Sequence, residues 1–167
     1  EHLRDEKVKA VRSLKPWGED TLKGSLVLGQ YLGYREEGGV PPASDTPTYC
    51  AMSLRIDNGR WKGVPFYLRS GKRLATHAAE IAVTFKSVPH SVFKPLLSTH
   101  LQPNTLVLRI QPDEGISLSI ETKKPGPKIC IGTLTLDFDY AAAFGEKPPD
   151  AYERLLLDVM LGDPTLF

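Results

Sequence analysis

Three cations stand within five positions of the stretch PFYLRSGKRL, residues 65–74: Arg69, Lys72 and Arg73. Gly71 lies among them, directly after a run with the pattern of a strand, and a glycine there could let an oxyanion approach the backbone. Lys72 carries a compact charge that suits a phosphate oxygen. The pattern indicates an anion site at the end of a strand. The alternative that it leaves open is a basic rim exposed to solvent.

Polar side chains elsewhere offer weaker signals. Arg109 and Gln111 lie two residues apart on one face of a predicted strand, so both could reach a ligand lying on the sheet. An ordinary polar outer face would give the same pattern. His77 follows Lys72 by five residues, on the loop to the next strand, and alone it has the character of a surface histidine. None of the four histidines has metal-ligand spacing to another, so no metal site is predicted; they are His2, His77, His90 and His100.

Composition excludes several classes of partner. The net charge is +1, from 21 basic and 20 acidic residues, so no global field favours nucleic acid or a membrane surface. No apolar run approaches the roughly 18 residues of a transmembrane helix, and the charged first residues are unlike a signal peptide. The two cysteines, Cys50 and Cys130, form no CxxC pair, which indicates a reducing, cytoplasmic setting. Neither GxGxxG nor GxxxxGK[ST] occurs, so no dinucleotide-binding turn is predicted.

The elements that must position these residues are mostly strands. Apolar and polar residues alternate in six runs: TYCAMSLRI, VPFYLRS, EIAVTFK, TLVLRIQ, GISLSIET and GTLTLDFDY. Such alternation predicts antiparallel strands with one buried face. Helices are predicted before Pro16 and after Pro148-Pro149, where Asp150 and Glu153 form a capping box. A chain of 167 residues can hold one domain with a core. The predicted fold class is therefore α+β, a large, mainly antiparallel β-sheet flanked by helices, in one domain over residues 1–167.

Six stretches resemble the C-terminal domain of glucose-6-phosphate dehydrogenase: LRDEKVKAVRSLKP, LGQYLGY, WKGVPFYLRSGKRL, RIQPDEGI, TKKPG and PDAYERLLLDVMLGD. They follow the family's order and cover nearly the whole chain, and GVPFYLRSGK with PDAYERLLLD is the most specific pair. The family's enzyme oxidises glucose 6-phosphate to the 6-phosphogluconolactone with NADP or NAD, in the pentose phosphate pathway. The resemblance implies a partial second domain, whose antiparallel sheet completes the sugar-phosphate site and pairs protomers into a homodimer or tetramer.

The resemblance also implies roles for single residues. Lys72 matches the lysine of the family's GK pair, a substrate contact. Gln111 matches a polar position at the sugar or close to it, and Tyr152 matches the tyrosine of PxxYER, near the same cleft. His77 falls where the family usually has a second lysine or arginine for the phosphate, and a histidine is mostly neutral at pH 7. These four are the expected contacts to glucose 6-phosphate.

The resemblance begins well inside the second domain of the family. The family's cofactor turn, its RIDHYLGKE-like phosphate segment and its catalytic histidine have no match in this sequence. No catalytic or cofactor-binding residue is therefore expected here, NADP is expected to bind mainly to an N-terminal domain, and the chain alone is expected to be inactive. Arg69 and Arg109 match basic positions of a structural NADP site in animal enzymes. Other basic positions of that site are Ala78, Ala82 and Ser119 here, so no structural NADP is expected.

A second hypothesis is a non-catalytic, stand-alone module that binds a sugar phosphate or assists assembly, having kept the sheet and lost the chemistry. Retention of RSGK and DAYER favours the enzyme. The length of the natural gene product would separate the two hypotheses. The sequence does not distinguish NADP from NAD preference, because the selecting residues belong to the other domain of the family, nor a dimer from a tetramer.

Overall fold

The computed structural model describes residues 2–87, 101–127, 130–145 and 151–166. His90, His100 and the predicted N-cap Asp150 lie outside these ranges. The chain divides into two compact units, one of residues 1–75 with 151–167 and one of residues 76–150. In chain order the elements are α1 (His2–Arg12), α2 (Glu19–Ser25), β1 (Leu26–Gly29), a 3₁₀ turn (Tyr34–Glu36), β2 (Tyr49–Arg55), β3 (Pro65–Gly71), β4 (Ala79–Thr84), β5 (Thr105–Gln111), β6 (Gly115–Lys123), β7 (Ile131–Asp139), α3 (Tyr140–Phe144) and α4 (Ala151–Leu161).

The first unit contains a sheet of three described strands in the order β1-β2-β3, with both neighbouring pairs antiparallel. Tyr49 at the start of β2 pairs with Gly29 at the end of β1 and with Gly71 at the end of β3. The end of β1, the start of β2 and the end of β3 therefore lie side by side at one end of this sheet. At the other end, an isolated bridge joins Leu14, just after α1, to Ile56.

The second unit contains a sheet of four described strands in the order β4-β5-β6-β7, all antiparallel to their neighbours. Directly opposite residues share a face, and the register puts apolar partners together on one face. These partners are Ile81 and Val83 of β4, Leu106 and Leu108 of β5, Ile116, Leu118 and Ile120 of β6, and Leu134, Leu136 and Phe138 of β7. The other face carries mainly polar side chains.

The predicted α+β class with antiparallel strands is confirmed, and all six alternating runs form strands. Two of them form the three-stranded sheet together with the short β1, from the stretch LVLG, and the other four form the four-stranded sheet. Two short helices were not predicted. In α3 the Asp139 side chain accepts a hydrogen bond from the Ala142 amide at 2.8 Å and so turns the end of the last alternating run into a helix. Helix α1 ends at Arg12, before the predicted stop at Pro16.

The expected hydrophobic core is not found in the described part of the chain. No hydrophobic side chain there is fully buried, and the apolar side chains of α1 are exposed, with Val11 at 64%. Large apolar side chains of both described sheets are partly or largely exposed, among them Val27 at 60%, Leu28 at 54%, Ile81 at 54% and Leu136 at 53%.

Candidate functional site

Lys72 is held at the edge where the three strands of the first unit meet. It follows β3 directly, and its backbone amide donates a hydrogen bond to the Thr48 carbonyl at 2.8 Å. The Thr48 amide donates in turn to the Gly29 carbonyl at 2.9 Å. The backbone at Lys72 is thus fixed to the neighbouring strand ends, while its side chain is exposed to solvent.

Gly71 has a different role from the one that the sequence suggests. A Cβ atom at this position would lie 2.9 Å from Cδ2 of Tyr49 and 3.3 Å from the side chain of Leu74. The space that the glycine leaves is therefore filled by its own neighbours. Glycine is needed here for packing against Tyr49, its partner across the ladder, and not for the approach of an oxyanion.

The three cations at this strand end are not equivalent. Arg73 forms an ion pair with Glu37, Nη2 to Oε1 at 2.5 Å, and its guanidinium lies 4.7 Å from the centre of the Tyr31 ring. Arg69 and Lys72 are exposed, and neither has a carboxylate partner among the described residues. Lys72, on a fixed backbone next to the strand end, is the cation most available to an anionic ligand.

Tyr31 belongs to the same group of side chains. Its hydroxyl donates to Oε1 of Glu37 at 3.3 Å, and its ring packs edge-on against Tyr34. Desolvation raises the pKa of Tyr31, and the neighbouring carboxylate of Glu37 raises it further, while Arg73 opposes the shift. The phenol therefore remains a neutral hydrogen-bond donor over the physiological pH range.

His77 and Gln111 lie at one end of the sheet in the second unit. Gln111 is the last residue of β5 and pairs with Ala79, the first residue of β4. His77 precedes Ala79 by two residues, and both predicted site residues are exposed. A β-bulge between Ala79 and Glu80 shifts the register at this end. The strand pairing thus brings two of the four predicted site residues to the same edge.

Arg109 is committed to the sheet and does not share a ligand-binding role with Gln111. Its Nη1 donates to Oδ1 of Asp137 at 2.8 Å, and its Nη2 donates to the Phe138 carbonyl at 3.3 Å. The side chain crosses Gly115 on β6 to reach β7, so it joins three strands. This geometry favours the polar outer face that the sequence left open as the alternative.

Gly115→Ala tests that role of Arg109. A Cβ atom at Gly115 would collide with the Arg109 guanidinium and lie 2.5 Å from the Phe138 carbonyl oxygen, a backbone atom. Overpacking of this kind costs about 1–3 kcal/mol, so the thermal midpoint should fall by several degrees. Gly132→Ala is the matched control in the same sheet, because its Cβ would meet only the flexible end of Lys124. Equal midpoints for the two variants in thermal denaturation would contradict this account.

Tyr152 lies on the first turn of α4, in the same compact unit as Lys72, and its side chain is 77% exposed. Further along this helix Arg154 forms an ion pair with Asp158 at 2.9 Å. Asp158 is 1% exposed, and Arg154 is the cation that pairs with its carboxylate among the described residues. The buried Asp158 lies towards the C-terminal end of α4, whereas the exposed Tyr152 lies at its N-terminal end.

A cavity of about 410 Å³ in the second unit does not coincide with the predicted site. It is lined by Thr84, Gln102, Pro103, Thr105, Ser119, Ile120, Glu121 and Thr133. Thr105 begins β5 and Gln111 ends it, so the cavity and Gln111 are separated by the length of the strand, about 20 Å. None of the four predicted site residues lines the cavity.

The described ranges contain no group of three or more histidine, cysteine, aspartate or glutamate residues that could hold a metal ion. None of the helices there is both long and apolar enough to cross a membrane. Cys50, half-buried in β2, and the exposed Cys130 are both free thiols.

Comparison with known proteins places the chain in a family. Residues 1–167 match the profile of the glucose-6-phosphate dehydrogenase C-terminal domain. The chain is 47% identical to a glucose-6-phosphate 1-dehydrogenase of Aggregatibacter actinomycetemcomitans over 99% of its own length and 35% of that protein. It is 42% identical to glucose-6-phosphate 1-dehydrogenase 2 of Mycobacterium bovis, with 99% and 34% covered.

Solved structures give the same answer. A glucose-6-phosphate dehydrogenase in complex with its substrate glucose-6-phosphate has a TM-score of 0.81 and 34% identity, over 99% of this chain and 34% of that one. The enzyme from Mycobacterium avium has a TM-score of 0.80 and 34% identity, over 98% and 33%. This chain thus spans about a third of the length of its relatives. It belongs to the glucose-6-phosphate dehydrogenase C-terminal domain family.

Proposed function

We propose that this chain is the substrate-binding and dimerisation part of a glucose-6-phosphate 1-dehydrogenase, which oxidises glucose 6-phosphate to 6-phosphogluconolactone with NADP in the cytoplasm. The observation that carries the proposal is Lys72, an exposed cation without a carboxylate partner among the described residues, on a backbone fixed at a strand end. Its position within RSGK in a chain of this family makes the phosphate group of the substrate its natural ligand.

The other predicted contacts have distinct chemistry. Gln111 offers an amide that can both donate to and accept from sugar hydroxyls, and Tyr152 offers an exposed phenol. His77 supplies a cation to the phosphate only in its protonated form. Arg69 matches a basic position of the structural NADP site in animal enzymes and Arg73 is paired with Glu37, so neither is proposed as a substrate contact.

The residues of this chain do not fit a bound NADP. It has no glycine-rich turn for a pyrophosphate, and the guanidinium of Arg109 is engaged by Asp137. Alanines and a serine stand at Ala78, Ala82 and Ser119, where the structural cofactor site of the animal enzymes has cations. We therefore propose that NADP binds mainly to residues outside this chain, and that the chain contributes to the sugar phosphate alone.

The test of the proposed function is an assay of the full-length protein that contains this chain. Purified protein should reduce NADP in the presence of glucose 6-phosphate and far more slowly with unphosphorylated glucose. A protein that binds glucose 6-phosphate but reduces neither NADP nor NAD would favour the alternative, a non-catalytic binding or assembly module. A protein that does neither would refute the proposal altogether.

Self-association through the sheet is part of the same proposal. The four-stranded sheet exposes large apolar side chains on one face, among them Leu134 at 47%, Leu136 at 53% and Phe138 at 41%. Exposed apolar surface of this kind marks interaction surfaces, either with other parts of the protein or with another protomer. Sedimentation of the full-length protein at micromolar concentration should show a dimer or a tetramer. A monomer as the sole species would contradict the dimerisation role.

His77 provides a test of the second phosphate contact. The resemblance puts a lysine or arginine at this position, and a permanent cation there would attract the phosphate. His77→Lys in the full-length protein should therefore lower the KM for glucose 6-phosphate at pH 8. His77→Gln is the matched control, which supplies no cation and should not lower the KM. An unchanged KM in His77→Lys at pH 8 would make His77 an ordinary surface residue.

A further inference from the structure

Arg73 adopts an unusual backbone conformation directly after Lys72. Its φ is 52°, and among the described residues it is the one non-glycine residue with positive φ. For an ordinary L-residue the left-handed region costs about 1 kcal/mol or more, and such conformations persist where the surroundings hold them. The surroundings of Arg73 should therefore contain the contacts that hold this turn.

Those contacts come from a segment far away in sequence. Nη2 of Arg73 pairs with Oε1 of Glu37 at 2.5 Å, and the guanidinium lies over the ring of Tyr31 at 4.7 Å. The Tyr31 hydroxyl donates to the same carboxylate at 3.3 Å. These three side chains form a closed set of mutual contacts, which we call the Arg73 clamp.

The segment that supplies the clamp is itself tied to the strand ends. The Tyr31 amide donates to Oγ1 of Thr48 at 3.0 Å, and the Thr48 carbonyl accepts from the Lys72 amide at 2.8 Å. The side-chain amide of Gln30 donates to the carbonyls of Ser44 and Thr46, both at 2.9 Å. Lys72 therefore lies between two residues that are held in place: Gly71, which pairs with Tyr49 in the sheet, and Arg73, which is held by the clamp.

We propose that Arg73 is a positioning residue, and that the clamp of Arg73, Glu37 and Tyr31 fixes the turn that presents the Lys72 ammonium group to the sugar phosphate. This inference rests on the proposed function and adds that Arg73 is not a phosphate ligand. A carboxylate already pairs with the guanidinium of Arg73. The Glu37 carboxylate would repel a phosphate group that approached Arg73. We therefore assign the Arg73–Glu37 pair to holding the turn, and not to binding the phosphate.

Glu37→Gln separates the two roles by the sign of its effect. If Arg73 bound the phosphate directly, removal of the carboxylate would free its charge and lower the KM for glucose 6-phosphate. If the clamp positions Lys72, the same substitution loosens the turn and raises that KM, by about three- to tenfold, since misplacement of a binding group by 1 Å can cost up to about 100-fold. The assay uses the full-length protein, and the cofactor KM should stay unchanged.

Further variants test whether the clamp acts as a unit. Arg73→Gln should raise the KM as Glu37→Gln does, and the double variant should be no worse than either, because contacting residues are not additive. Arg73→Gly keeps the left-handed turn accessible and removes the clamp, so it should also raise the KM. Lys15→Gln is the matched control, since it breaks a comparably exposed ion pair, Lys15 to Asp57 at 2.8 Å, in the same unit. Its KM should equal that of the unchanged protein.

The outcomes are distinct. A lower KM in Glu37→Gln would make Arg73 a phosphate ligand and overturn the inference. An unchanged KM in both Glu37→Gln and Arg73→Gly would show that the clamp has no influence on Lys72, with the same consequence. If Lys72→Ala itself leaves the KM unchanged, the proposed function fails at that residue, whatever the clamp variants show.

Discussion

Replacement of Lys72 by alanine in the full-length protein is expected to raise the KM for glucose 6-phosphate by at least about tenfold. A charge-assisted contact to a phosphate contributes about 1.5–3 kcal/mol, which corresponds to about one to two powers of ten in affinity. The backbone of Lys72 is fixed by the Thr48 carbonyl, so the loss should come from the ammonium group and not from a collapsed turn. Steady-state kinetics with varied glucose 6-phosphate measure the effect.

Four comparisons make the result specific to the phosphate contact of Lys72. The KM for the cofactor should hardly change in Lys72→Ala, and activity toward unphosphorylated glucose should fall little. Lys72→Arg should restore only part of the affinity, since a planar fork replaces a point charge. Arg69→Ala is the matched control, because Arg69 is also exposed, lies on the same strand end and has no carboxylate partner among the described residues. If both alanine variants stay within twofold of the unchanged protein, the cationic run is a solvent-exposed rim.

The strands of this chain could be predicted from its sequence because their residues alternate over long runs. In TLVLRIQ and GISLSIET the apolar positions recur every second residue, and both runs form strands in the expected register of faces. The pentapeptide YAAAF could not be separated from the preceding run, because the local signal for its helix is a single cap at Asp139. The division of the strands into two sheets depends on pairings that no local pattern specifies.

The ion-pair partners of the cations at the candidate site could not be predicted from the sequence. The strand that ends just before Lys72 was predicted, but the pairing of Arg73 with a carboxylate was not. Within the described ranges, Arg73 differs from Arg69 and Lys72 because it forms an ion pair with Glu37. Glu37 precedes Arg73 by 36 residues and lies in a loop, where no periodic pattern predicts its neighbours. Arg109 and Asp137 are similarly 28 residues apart. Sequence spacing reveals neighbours within a helix or strand, and these partners meet only through tertiary structure.

The lack of fully buried apolar side chains among the described residues could not be predicted from the composition, because the chain's apolar content of 41% is ordinary for a globular protein. Its apolar side chains are regularly spaced, yet many are exposed, such as Leu32 at 97% and Met160 at 83%. Alternation predicts which face of a strand is apolar, and it does not say which part of a protein covers that face. The chain spans about a third of the length of its relatives, and exposed apolar surface of this extent is typical of an interaction surface.

The isolated chain of residues 1–167 is therefore expected to show no dehydrogenase activity. None of its four histidines matches the family's catalytic one, and general acid–base help is worth roughly 10² to 10⁴ in rate. It also has no glycine-rich turn to hold the nicotinamide cofactor that accepts the hydride. Its uncovered apolar surface should further loosen the strand end that carries Lys72, so binding of glucose 6-phosphate should be weak as well.

The measurement is NADP reduction by the purified chain with saturating glucose 6-phosphate, alongside the full-length Lys72→Ala variant. The variant should retain turnover at high substrate concentration, since its defect is in binding, whereas the isolated chain should stay at the background rate. Circular dichroism of the isolated chain should establish whether its strands are formed, so that inactivity is not mistaken for simple unfolding. Formation of NADPH above background that depends on glucose 6-phosphate would show that residues 1–167 contain a complete catalytic site, and would refute the division of roles proposed for this protein.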